Sequence, residues 1–228
     1  MTDYKNSKIK ALCSKEHKNY CINDILDHNY IRNKYYSFIG LNELSAATTN
    51  HPVFVAVMPH PALITLTSIS VQPKPSFTPL QSQLYPFTLE VLENEQRGIL
   101  LFNASSPRLT KDSSTPNSYP LFDNQGQAAP ALIKIGQLAK MHHEEISKAE
   151  AFCQSLIDYN LLSESSVSIT SPHDKLYIIN EDVFADLNVD QLQSLQQKNY
   201  LQIIGFMLLS QQYWARRLKD HSQKNTRA

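Results

Sequence analysis

Along this chain the apolar positions change period several times, and each change marks an element. Residues 1–36 are rich in Lys, Asn and Tyr and weakly patterned, with Ile9, Leu12, Ile22, Ile25 and Leu26 marking only short helical turns, so they read as an N-terminal arm. Leu41, Leu44 and Ala47 recur at three-residue spacing until Asn50, His51 and Pro52 interrupt them, which predicts a short helix over 41–49. Residues 53–58 are β-branched and apolar on both parities, the pattern of a strand covered on both faces. A second strand is predicted over 63–71 from alternation and Thr and Ile content, and Pro73, Pro75 and Pro79 mark the loop beyond it. Strands over 87–92 and 99–103 follow, joined by a polar stretch ending in Gly98. Residues 104–127, with Pro107, Pro116 and Pro120 among many Ser, Thr and Asn, read as a long loop closing in the turn Asp123-Asn124-Gln125-Gly126.

The second half is helical in period. Pro130 sits where a first helical turn tolerates proline, and Ile135, Leu138, Ala139, Ile146, Ala149, Cys153, Leu156 and Ile157 form one stripe, predicting about eight turns to near Asn160. A hairpin is predicted from 167–169 and 176–179 across Ser171-Pro172-His173-Asp174. A helix capped by Asp190 should then run to Gln197, and a last helix over 200–219 carries Ile203, Ile204, Met207, Leu208, Tyr213, Trp214 and Leu218. The expected fold class is α+β, with a mixed or antiparallel sheet from the N-terminal half packed against the long helix and the C-terminal helices. The expected organisation is an arm over 1–36, a domain over 37–222 and a tail over 223–228.

Composition narrows the function classes. With 228 residues, 42% of them hydrophobic and 18% charged, the chain can close a packed core without disulfides or metals. Lys and Arg number 21 and Asp and Glu 21, so the net positive field that draws proteins to nucleic acid is missing, and no nucleic-acid partner is expected. Basic residues near both ends, among them Lys5, Lys8, Lys10, Arg216, Arg217 and Lys219, read as solvated termini. The most apolar stretches, 53–58 and 203–209, fall far short of the ~20 residues that span a bilayer, so no membrane insertion is expected. Three cysteines leave one unpaired in any disulfide scheme, and the N-terminus carries no apolar segment followed by a small-residue cleavage site. A cytoplasmic location is expected, the alternative being the cell surface by a signal-independent route.

Candidate chemistry is sparse. Cys13, His17, Cys21 and His28 are zinc-ligand types, but on one helix Cys13 and His28 would stand ~22 Å apart at ~1.5 Å per residue. At most an i, i+4 pair could share an ion, so no metal site is expected. His142-His143-Glu144-Glu145 lacks the H-E-x-x-H order, and His142 should border the apolar stripe while His143, Glu144 and Lys148 face water. There is no G-x-S-x-G elbow, and Ser171, His173 and Asp174 are neighbours on a turn, which does not create the oriented chain of a triad. Five scattered glycines build no phosphate-cradling loop, and no cofactor is expected. Tyr200, Tyr213 and Trp214 fit core packing or an aromatic groove, whereas the loops over 72–79 and 104–127 are better places for partner contacts.

Several stretches occur in an ordered series. Tyr85-Pro86-Phe87 leads into a strand; Leu100-Leu101-Phe102-Asn103 follows with Ser106 and Leu109; Pro120-Leu121-Phe122-Asp123 with Gly126 precedes the long helix. Phe152, Leu156 and Leu161-Leu162 lie at its end, and Gly205 with Leu208-Leu209-Ser210 lies in the last helix. In this order and spacing the chain resembles the SapC family over roughly residues 37–222, with one departure, Tyr177-Ile178-Ile179-Asn180-Glu181 standing where the family has a glycine-rich approach. The resemblance implies a bacterial protein of a family named for surface layers and found beside genes for tryptophan-halogenase-like and outer-membrane-receptor proteins. It brings no catalytic residues. Tyr85, Phe87, Phe122 and Asp123 match the family pattern and, with His142, are the candidate ligand-binding set, although strand entry and turn geometry also account for the first four. The leading expectation is a non-enzymatic accessory or binding protein whose partner is a protein or a small ligand, with homo-oligomerisation open. The alternatives are an enzyme or enzyme partner acting on a sugar, peptide or aromatic substrate in a cleft lined by Tyr85, Phe87, Phe122 and His142, and a structural surface-layer subunit.

Overall fold

A computed structural model describes residues 8–23, 36–57, 59–67, 77–92, 98–168 and 175–225, of which 168 and 216–225 are described by backbone alone. The elements in order are β1 (Ile9–Ala11), α1 (Ser14–His17), β2 (Cys21–Asn23), β3 (Ser37–Phe38), a 3-10 turn (Leu41–Glu43), α2 (Leu44–Asn50), β4 (Val53–Ala56), β5 (Ala62–Thr65), α3 (Leu80–Leu84), β6 (Phe87–Val91), β7 (Gly98–Asn103), β8 (Leu109–Thr110), β9 (Ser118–Pro120), α4 (Pro130–Asp158), β10 (Leu162–Ser168), β11 (Lys175–Ile179), α5 (Glu181–Ala185), α6 (Val189–Gln197) and α7 (Tyr200–Asn225). The chain divides into two compact units, one drawn from 1–31 and 80–144 and the other from 32–79 and 145–228. Among the described residues all strand pairings are antiparallel, and the architecture is α+β.

The unit drawn from 32–79 and 145–228 is built on a five-stranded sheet in the order β10-β11-β4-β5-β3. The central strand β4 shows why residues 53–56 are apolar on both parities: Val53 and Val55 enter one core, and Phe54 and Ala56 enter another on the opposite face. Val57, expected in the strand, lies beyond it and is exposed, and Met58 lies outside the described residues. The first core is filled by Ala149, Phe152, Cys153 and Leu156 from the second part of α4, Leu195 of α6, and Ile204 and Met207 of α7. Those spacings are the i, i+3, i+4, i+7 face of a helix. Beside it, the Trp214 indole N–H donates to the Thr48 carbonyl at 3.4 Å, tying α7 to α2. The Gln211 amide reaches both the N–H and the C=O of Ile179, at 2.8 and 3.0 Å, acting as one more strand position beside β11. The sheet therefore recruits β10 and β11 from the second half of the chain as well as strands from the first.

The unit drawn from 1–31 and 80–144 holds two three-stranded sheets, β1-β7-β6 and β8-β2-β9. Both recruit strands from the N-terminal segment, whose pattern showed only short turns: β1 pairs with β7, and β2 lies between β8 and β9. Three-residue strands are too short to display a period of two, which is why they were invisible in the pattern. The stretch 104–127 accordingly contains β8 and β9 in place of an unbroken loop.

The long helix spans Pro130–Asp158, 29 residues, as the stripe predicts. Asn160 and Asn199 follow α4 and α6 with φ of 55° and 59°, the left-handed conformation that asparagine adopts more readily than most residues. The cap expected at Asp190 is corrected. Asn188 caps α6, its side chain accepting from the Gln191 backbone amide at 2.9 Å while the Gln191 Oε1 accepts from the Asn188 backbone amide at 3.0 Å. Asp190 sits in the first turn, where its charge meets the positive end of the helix dipole. The helix α5, capped by Asn180, was not foreseen. Residues 68–71 of the predicted second strand, the loop 72–76, and Ser171-Pro172-His173-Asp174 lie outside the described residues.

Candidate functional site

The five candidate ligand-binding residues all fall in the unit that contains β6 and β7, and apolar packing positions two of them. Ile22, Phe87, Phe102 and Leu121 are buried together, with Tyr20, Leu109, Phe122 and, from α4, Ala131, Leu132 and Ile135 packed around them. Phe87 is 4% exposed, its ring 6.5 Å from that of Phe102, so it fills this core. Phe122 is half-buried at the margin, and its backbone bridges to Ala128. Tyr85 is half-buried, its hydroxyl accepting from the Asn103 amide at 3.4 Å. Asp123 is exposed, but one carboxylate oxygen accepts from the amides of Gln125 at 2.9 Å and Gln127 at 2.8 Å, closing the turn in which Gly126 has φ 79°. His142 is half-buried on α4. Of the five candidates, then, Phe87 and Phe122 are brought together, while Tyr85 and Asp123 are each held by local hydrogen bonds.

Arg108 organises this region and was missed. Its guanidinium donates to the carbonyl of Asn23 through Nε at 3.3 Å, and through Nη1 to the carbonyls of Gln83, at 3.0 Å, and Tyr85. One planar fork thus joins the end of β2, the end of α3 and the cis Tyr85-Pro86 peptide. A single arginine in a polar loop carries no periodic signal, and only the fold shows which carbonyls it meets.

The rest of the stretch 104–127 is exposed over residues 111–114, 116, 117, 119 and 120, buried at Ser106 and Leu121, and held in place. Ser106 accepts from the Arg108 amide at 3.2 Å, and Asp112 accepts from both the amide and the hydroxyl of Ser114, at 2.9 and 2.7 Å. The Ser114 hydroxyl, and after it the amide, hold the Asp112 carboxyl below its ordinary value. Strands β8 and β9 pin the stretch to β2, leaving Lys111 and Tyr119 at the surface, the latter 48% exposed.

The early cysteine and histidine group resolves into one close pair. His17 is 5% exposed and packs edge-on against Phe102 at 4.9 Å and Tyr20 at 5.6 Å. Its Nδ1 lies 3.1 Å from the backbone N and O of Cys13 and 3.7 Å from the Cys13 Sγ. Cys13 is exposed, whereas Cys21 is buried in β2, where desolvation and then the Asp112 charge push its thiol up. Burial likewise pushes the Cys153 thiol up. His28 lies outside the described residues, and among the described residues no three His, Cys, Asp or Glu side chains group in a way that could hold a metal ion.

The remaining candidates have structural employment. His143, Glu144 and Lys148 are exposed, as expected, and Glu145 accepts from the Asn42 amide at 3.1 Å and from Lys148 Nζ at 2.6 Å. Tyr200 packs against Phe152 at 5.0 Å and Trp214 is buried, so core packing accounts for both, while Tyr213 is 42% exposed. Among the described residues no helix is long and apolar enough to cross a membrane.

No curated protein and no solved structure matches the chain. The sequence model of the SapC family matches residues 12–216, most of the chain and both units of the fold, so the chain belongs to the SapC family.

Proposed function

We propose that this SapC-family chain is a non-enzymatic accessory protein that binds a protein partner through the stretch 104–127. The observation that carries the reading is the combination of exposure and order in that stretch. Its surface is polar and carries an exposed tyrosine, yet Arg108, Asp112, Asp123 and the pairing of β8 and β9 with β2 fix its backbone. A loop ordered before binding loses little conformational entropy when it docks, and tyrosine supplies contact area at the cost of few rotatable bonds. The burial of Phe87 in the core and the use of one Asp123 carboxylate oxygen in a turn support the same reading, because both side chains have structural roles.

The test is co-purification of the full chain from its native cell, followed by identification of what remains bound, beside a Lys111→Ala/Tyr119→Ala double variant of unchanged circular dichroism. A partner recovered with the wild type and lost with the variant is expected. Equal recovery with both would overturn the assignment to this stretch, and turnover of a sugar, peptide or aromatic substrate by the purified chain would overturn the non-enzymatic reading.

A further inference from the structure

We propose that Cys13 and His17 form an imidazole-assisted thiol that exchanges with low-molecular-weight disulfides, making Cys13 a site of reversible modification. Four observations converge on this pair. Cys13 is the one exposed cysteine of the three, so a soluble disulfide can reach it. The His17 Nδ1 stands 3.7 Å from its sulfur, within the reach of a weak S–H···N hydrogen bond. The Cys13 amide and carbonyl each stand 3.1 Å from the same nitrogen, and in the tautomer with the proton on Nε2 the amide donates there and Nδ1 presents its lone pair toward Cys13. Finally, the His17 ring is buried between Phe102 and Tyr20, so the base is held in position by packing. A nucleophile within hydrogen-bond reach of a base that is itself oriented is the arrangement that activates a thiol.

The exchange balances without an added oxidant. His17 Nδ1 takes the Cys13 thiol proton, and the thiolate attacks one sulfur of the incoming disulfide. A bond forms between Cys13 Sγ and that sulfur, the disulfide's own S–S bond breaks, and the released thiolate recovers the proton from the imidazolium. The disulfide is the oxidant, Cys13 ends as a mixed disulfide, and one small thiol leaves. Because Cys21 and Cys153 are buried, neither is placed at the surface to resolve the product, which persists until an external thiol reverses it. The modified sulfur is one residue from Ser14, whose side chain lies against Gly126 of the turn closed by Asp123.

The test follows Cys13 by peptide mass mapping during incubation of the full chain with glutathione disulfide, in buffer and in urea, with a His17→Asn variant alongside. Native Cys13 should react about tenfold faster than Cys13 of the urea-unfolded chain, and folded His17→Asn should fall to the unfolded rate. Native Cys13 reacting no faster than in the unfolded chain would overturn the proposal. So would a folded His17→Asn variant that keeps the native rate. If that variant does not fold, the comparison of native with unfolded chain decides alone.

Discussion

Replacing Arg108 by methionine keeps the length of the side chain and removes only the guanidinium. Three backbone carbonyls then lose a donor, at Asn23, Gln83 and Tyr85, and two of these bonds are part-buried while that to Gln83 is exposed. A hydrogen bond to a charged group contributes about 1.5–3 kcal/mol when shielded and little when solvated, so two part-buried bonds, at about 1–2 kcal/mol each, set an expected loss of about 2–4 kcal/mol. For a chain of this size each kcal/mol moves the midpoint by about 2–4 °C, which places the fall in melting temperature at roughly 4–16 °C. Urea melts give the free energy, and hydrogen exchange gives the location. The Asn23 amide, bonded to the Arg108 carbonyl at 2.8 Å, should exchange faster as the end of β2 loosens. Arg108→Lys should recover part of the loss, since an ammonium can meet one carbonyl but not span the fork. A loss below ~0.5 kcal/mol, with Asn23 exchange unchanged, would refute the idea that this guanidinium organises the region.

Gly126→Ala should cost about 1–2 kcal/mol in a thermal melt, because alanine is strained at φ 79°; the added carbon would meet Ser14 at an ordinary 3.7 Å, so Gly126→Asn should cost less. Phe152→Ala, at a site that is 0% exposed, should cost about 3–5 kcal/mol, read in urea by the fluorescence of Trp214. The hydrogen bonds from Ser114 lower the Asp112 carboxyl, so their help to the 112–114 turn is present above the ordinary carboxylate range and is lost as the pH falls through the lowered value. Carbon NMR of Asp112 should show its titration midpoint move upward in Ser114→Ala, and no movement would disprove the assignment.

The long helix, the doubly covered strand β4 and the last helix were legible in the sequence because each repeats a pattern long enough to show its period. The stripe from Ile135 to Leu156 predicts α4, and the apolar run beginning at Val53 predicts a strand between two cores, as Val55 and Phe54 confirm by entering opposite ones. The short strands β1, β2, β8 and β9 were not legible, since two or three residues cannot alternate detectably and their partners lie far along the chain. Of the candidate set, Phe87, Phe122 and Asp123 were recognised as special, and their apolar or turn-forming chemistry matches where they sit. Arg108 escaped because its role depends on three carbonyls from three separate elements. The Cys13–His17 contact was visible as an i, i+4 spacing, but only the burial of His17 and the exposure of Cys13 distinguish it from a chance pair.

The interleaving of the two units sets the order of events during synthesis. Ile9 pairs with Asn103, and Ala56 pairs with Leu176, so neither sheet can close until a distant stretch has left the ribosome. At about 5–20 residues per second, the 120 residues between Ala56 and Leu176 keep β4 waiting for roughly 6–24 s with its apolar side chains bare. Chains released early at about residue 150 would carry β4 with no partner in β11 and an apolar edge open to association.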